Sequence, residues 1–245
     1  MRTFKEIALF AHLSSMAYLT TSNEVEVKAT ALGCSYIALV GEPDCQADLV
    51  SVMLGGVLHY IIAVRGTQFS ENFSMREVLE DLDRDIVNLS FGGYHKGAAE
   101  GLVALYFEIQ HFIPLGAHVI VIGHSLGGAR ACLLPAYLNH ENYMIEVYSF
   151  APFKSATKGF WEYTYPGENL YPWIFINNND FAPTWPWFES DLCHASKQII
   201  HLTGSNDNPT IEQIEEYPSP RLSEFDHSID NYCAKLDALA ASEKE

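Results

Sequence analysis

Residues 119–129 read Val-Ile-Val-Ile-Gly-His-Ser-Leu-Gly-Gly-Ala, a stretch that turns a buried strand sharply into a helix. The run 119–122 is β-branched and free of polar residues, the pattern of a strand covered on both faces. After the serine, 126–138 is rich in Ala and Leu, which suits a helix packed closely on a sheet. Gly123 and Gly127 flank Ser125 at two residues on either side. In a G-x-S-x-G turn these glycines let strand and helix pass close together, and the serine hydroxyl is exposed. The same geometry aims the amide of Leu126 at the space where an oxyanion would form in acyl transfer. Five residues alone are a weak match, but strand, turn and helix in this order make it specific. Ser125 is the expected nucleophile; the bland alternative is an idle serine in a glycine-rich turn.

The chain's 245 residues suffice for one large domain, and without repeats, linkers or a shift in composition the expectation is a single domain over 1–245. At 48% hydrophobic and 18% charged residues it is a globular rather than a disordered composition. Its 14 basic and 31 acidic residues give a net charge of -17, which repels nucleic acids and anionic bilayers. The longest nearly apolar stretch, 50–64, is too short to span a bilayer and is interrupted by Gly55, Gly56 and His59; it reads as two strands and a turn. At the amino end Lys5, Glu6 and His12 interrupt what would otherwise pass for a signal peptide. Phe4, Ile7, Leu9, Phe10, Leu13 and Tyr18 suit an amphipathic helix instead, so a cytoplasmic location or non-classical export is expected. Five cysteines with no C-x-x-C pair favour a reduced compartment, leave room for one disulfide and imply no metal site.

Strands are expected at 36–40, 57–64, 118–122, 146–150, 173–177 and 198–202, and helices at 4–20, 74–85, 97–112, 126–138 and 227–241. Their alternation predicts an α/β fold with a mainly parallel sheet covered on both faces. Catalytic loops then gather at the carboxyl ends of the strands.

A serine hydroxyl needs a base to take its proton, and the base needs a carboxylate to hold its tautomer. On this kind of scaffold the chain order is Ser, then Asp or Glu, then His. His59, His95, His111 and His118 precede Ser125, and His124 adjoins it and should point away from it. Of His140, His194, His201 and His227, the last opens the final helix whereas His201 sits within an apparent strand, so His227 is the expected base. Asp180 follows the strand 173–177 where a loop begins, the place for an orienting carboxylate. Asp191, Asp207 and Asp226 are weaker alternatives, Asp226 because it adjoins His227 in sequence.

The residues that carry a family resemblance are Ala63-Val64-Arg65-Gly66-Thr67, Tyr94-His95-Lys96-Gly97, the Ser125 turn, Ser149-Phe150-Ala151-Pro152, the spacing Asn177, Asp180, Pro183, Pro186, and Asp226-His227-Ser228. Together they resemble the class 3, fungal-type lipases of the α/β-hydrolase superfamily. The resemblance implies a Ser125, Asp180, His227 triad and a second oxyanion donor at Thr67. It implies no cofactor, and a lipid or ester substrate met with transient contact at a lipid interface. It also implies a short helical lid over 69–82, where Met75, Val78, Leu79 and Leu82 share a face. Phe69, Phe73 and Met75 there, with Trp185 and Trp187 after the acid, are expected to line the substrate pocket. Two departures touch local loops: Val64 stands where the family carries an aromatic residue, and Ala151 and Lys154-Ser155 replace glycine-containing positions.

The function these features imply is ester hydrolysis, as a lipase or acylglycerol esterase. A phospholipase A1 or feruloyl-type esterase would use the same three residues. A non-catalytic binding protein on the same fold is the reading from another class.

Overall fold

The computed structural model describes residues 2–67, 82, 85–139, 141–186, 191–196, 199–215, 217 and 223–243. At its centre lies β6 (His118–His124), with Val119 and Val121 in one apolar cluster and Ile120 and Ile122 in another on the opposite face. A strand so placed has no solvent face, so its sequence cannot alternate. β6 pairs in parallel with β3 (Val57–Val64) and β7 (Met144–Phe150). The parallel run continues through β9 (Trp173–Asn177) to β11 (Ile199–Gly204). Antiparallel strands finish both ends: β2 (Ala47–Leu54) and β1 (Ser35–Val40) beyond β3, and β12 (Pro209–Ile214) beyond β11. The sheet order is β1-β2-β3-β6-β7-β9-β11-β12.

Helices cover both faces. On one, α4 (Leu102–Ile109) contributes Leu102, Leu105 and Ile109, and α5 (Leu126–Leu133) contributes Ala129, Cys132 and Leu133. The other face is covered by α1 (Phe4–Met16), through Ile7, Phe10 and Ala11, and by α8 (Ile229–Ser242), through Tyr232, Cys233 and Leu236. A capping box starts α1: Thr3 accepts from the Glu6 amide and the Glu6 carboxylate accepts from the Thr3 amide. α1 and α8 abut, and the Phe4 amide donates to the Glu243 carboxylate at 3.0 Å.

The 50–64 stretch is the expected pair of strands with a turn at Gly55-Gly56. The helix expected at 97–112 is divided: α3 (Lys96–Ala99) stops before Gly101, whose φ of 79° is left-handed, and α4 follows. The helix expected at 126–138 is α5 followed by α6 (Pro135–Leu138), because Pro135 has no amide to extend α5. α2 (Ser22–Ala31), α7 (Lys158–Thr164) and β12 were not expected, nor was a small sheet of β4 (Ile86–Leu89), β5 (Gly92–His95), β8 (Ala156–Thr157) and β10 (Leu192–Cys193). The expected helix 74–85 lies outside the described residues except at Leu82 and Asp85. All five cysteines are free thiols. No helix among the described residues is long and apolar enough to cross a membrane.

Candidate active site

Ser125 stands between β6 and α5 with φ 60° and ψ −126°. An L residue rarely takes this conformation, which costs about 1–3 kcal/mol and persists only where its surroundings enforce it. Here the Ser125 amide donates to Phe150 O at 2.9 Å and the Ala129 amide donates to Ser125 O at 3.0 Å. A Cβ on Gly123 would fall on the Gly127 carbonyl, and one on Gly127 would fall on the Val64 carbonyl. Strand β6 and helix α5 therefore meet backbone to backbone, as the sequence predicts, and the end of β3 joins them.

The acid and base expected from chain order come together. His227 Nδ1 lies 2.8 Å from Asp180 Oδ1 and 3.0 Å from Oδ2, and both side chains are buried. The carboxylate has two further donors, the Ala182 amide to Oδ1 at 2.9 Å and the Tyr232 hydroxyl to Oδ2 at 2.6 Å. Such donors fix the orientation of the carboxylate. Burial, with the nearby Asp180 charge, raises the Tyr232 phenol well above its ordinary value, so it remains a donor. With Nδ1 facing the carboxylate, His227 presents Nε2 on the far side of the ring. That nitrogen is buried and makes no hydrogen bond among the described residues, one to Ser125 included. Catalytic hydrogen bonds commonly tighten only once substrate is bound.

Chain order does not reveal how the base loop is held. Asn177 Nδ2 donates to Asp226 O at 2.8 Å, while the Asp226 carboxylate accepts from Asn178 Nδ2 at 3.2 Å and the Asn179 amide at 3.4 Å. Asp226, set aside above as the acid, thus clamps the acid loop to the base loop. The signal was the first residue of N-x-x-D, whose side chain spans the two loops. Tyr232 lies five residues after His227, and no sequence rule assigned it to Asp180.

The Arg65-Gly66-Thr67 segment runs directly beneath the elbow, since a Cβ on Gly127 would also meet the Gly66 amide nitrogen. Arg65 anchors it through bonds to Ala17 O at 2.5 Å, Gln46 Oε1 at 2.7 Å and Leu19 O at 3.2 Å. Beside it lies Asp48, 1% exposed, with Oδ2 4.0 Å from Arg65 Nη2; burial pushes its carboxyl up to about 6, with Arg65 opposing. Thr67 follows Gly66, and Leu126 opens α5, where helix amides lack intrahelical acceptors. Trp185 is 1% exposed and belongs to the core, edge-on to Phe153 at 4.9 Å and 5.0 Å from the His95 ring. Phe69, Phe73, Met75 and Trp187 lie outside the described residues, as does the expected lid apart from Leu82.

Sheet order, covering helices and strained serine turn define an α/β-hydrolase. Known proteins narrow this further. The class 3 lipase family model matches residues 61–190, more than half of the chain, so the chain belongs to that family and is a lipase-type hydrolase. Among solved structures, a fungal lipase–inhibitor complex described as a model for interfacial activation aligns with TM-score 0.72 at 19% identity, over 95% of this chain and 96% of that one. The Rhizomucor miehei triacylglyceride lipase aligns with TM-score 0.69 at 18% identity over 91% of each chain. A triacylglycerol lipase whose catalytic centre is a serine protease triad aligns with TM-score 0.68 at 19% identity, again over 91% of each. No curated protein sequence matches the chain.

Proposed function

We propose that the protein hydrolyses carboxylic esters of fatty acids, acylglycerols foremost, with Ser125 as nucleophile, His227 as base and Asp180 as orienting carboxylate. The observation that carries this reading is the buried His227–Asp180 pair with Nε2 uncommitted, in a fold where the strained Ser125 stands at the end of β6. His227 Nε2 takes the hydroxyl proton as Ser125 Oγ bonds to the ester carbonyl carbon. Asp180 stabilises the imidazolium, and the amides of Leu126 and Thr67 receive the oxyanion. The tetrahedral species expels the alcohol, which leaves with the proton from His227. Water then repeats the sequence on the acyl-enzyme and frees the fatty acid.

Two similar structures are lipases of triacylglycerols by description, which supports an acylglycerol substrate here. The segment 69–82 is proposed as the apolar cover that turns toward a lipid interface. Ser125→Ala should fold as the parent does, lose hydrolysis of p-nitrophenyl esters and escape labelling by a fluorophosphonate. Turnover near that of the parent would remove Ser125 from the mechanism. A panel of glycerides, phospholipids and feruloyl esters then separates the substrate classes, with neutral glycerides expected to turn over fastest.

A further inference from the structure

His124 adjoins the nucleophile, yet its ring is committed elsewhere. It is 4% exposed, with Nε2 2.8 Å from the His227 carbonyl oxygen and Nδ1 3.0 Å from the Tyr18 hydroxyl. A carbonyl oxygen has no proton, so Nε2 must be the donor; Nδ1 of the neutral ring then carries the lone pair, and the Tyr18 hydroxyl, which also lies 3.3 Å from His124 O, donates to Nδ1 as the nearer acceptor. Burial, reinforced by the neighbouring His227, keeps the imidazole well below its ordinary value and hence neutral. The two rings lie 4.7 Å apart between centroids. His227 must become an imidazolium in the proposed mechanism, and a second cation at that distance would oppose it.

The third component of the site meets the same pair. A Cβ on Gly66 would collide with the Tyr18 hydroxyl and the His124 carbonyl oxygen, so the oxyanion segment is packed against them. Nucleophile strand, base loop and oxyanion segment are thereby held together at one point. The two carbonyls at 226 and 227 are fixed separately, by Asn177 from the end of β9 and by His124 from the nucleophile strand.

We propose that His124 is a positioning residue: its Nε2–H bond to the His227 main chain sets where the base stands relative to Ser125, and Tyr18 fixes the tautomer that makes this bond. The inference rests on the triad reading above. His124→Asn loses the reach to His227, and a misplaced base lowers kcat on a soluble ester by about 10-fold or more with KM within about twofold. Rates are counted per serine titrated to completion with a fluorophosphonate, so loss of folded protein does not register. His124→Gln places an amide donor near the position of Nε2 and regains most of the loss, which bulk filling by Asn does not. Tyr18→Phe lowers kcat by about threefold in the parent and has no further effect in His124→Gln, because coupled groups are not additive.

His124→Asn at parental kcat, or independent effects of Tyr18 and His124, would overturn the proposal. If His124→Asn does not fold, Tyr18→Phe decides, and parental kcat in that variant overturns it. Ser125→Ala separates the two ideas. If that variant is dead while the His124 variants are unimpaired, only the positioning role fails; if it turns over, the triad reading fails first.

Discussion

Individual residues of this site are held by what surrounds them more than by their own preferences. Ser125 occupies a left-handed backbone that β6 and α5 impose, and Gly123 and Gly127 are required because carbonyls fill the space of their missing side chains. Asp48 is a contrasting case, a buried carboxyl with Arg65 4.0 Å away and neither oxygen hydrogen-bonded among the described residues. Its value is about 6 in the fold against 3.8 ordinarily, so the folded chain holds the proton more tightly than the unfolded one. Stability from this group is complete below the lower value and is lost as pH rises through the upper one. Asn cannot ionise and escapes that loss. Asp48→Asn should therefore melt higher than the parent at about pH 8, with the advantage shrinking toward about pH 4. Melting curves across this range check the sign, and a pH-independent difference would contradict it.

At the scale of elements, the two faces of the sheet depend on different helices. Phe10 on α1 is fully buried and lies 4.9 Å from the Tyr148 ring, remote from the elbow in sequence. Phe10→Ala should cost about 3–5 kcal/mol in urea unfolding, with the labelling rate of the folded fraction unchanged. A combined loss of stability and labelling rate would show that α1 also shapes the site. Sequence made the long elements legible for a physical reason: β6 is buried on both faces and reads as an unbroken apolar run, while α1 shows its buried stripe. Chain order together with their places at a strand end and at the opening of the last helix pointed to Asp180 and His227, which the fold joins. The small sheet escaped notice because β8 and β10 are two residues each, too short for alternation to register. α2 buries only Val25 and Ala29, so its stripe is faint, although Thr21 and Glu24 carry a capping box. β12 is an exposed edge with no apolar face to read. The Tyr232 bond joins distant segments and no local pattern encodes it, while the Asp226 clamp left one sign, the Asn177 of N-x-x-D.

For the whole molecule, the charge of -17 bears on which surfaces it can approach. Doping a neutral glyceride emulsion with anionic phospholipid should slow hydrolysis at low salt. The gap should close at about 1 M salt, where screening acts beyond about 3 Å. Hydrolysis indifferent to the dopant would mean that a neutral patch, and not net charge, governs the approach.

The packing of α1 against α8 also imposes a timetable. A ribosome makes the apolar face of the first helix more than two hundred residues before its partner at Ile229–Ser242 emerges. Until then Ile7 and Phe10 lack part of their cover, and a nascent chain in that condition is a natural client for chaperones. His227 enters the tunnel just ahead of α8, so the base of the proposed triad is made more than a hundred residues after Ser125. A stalled or clipped chain would display its serine without the means to activate it.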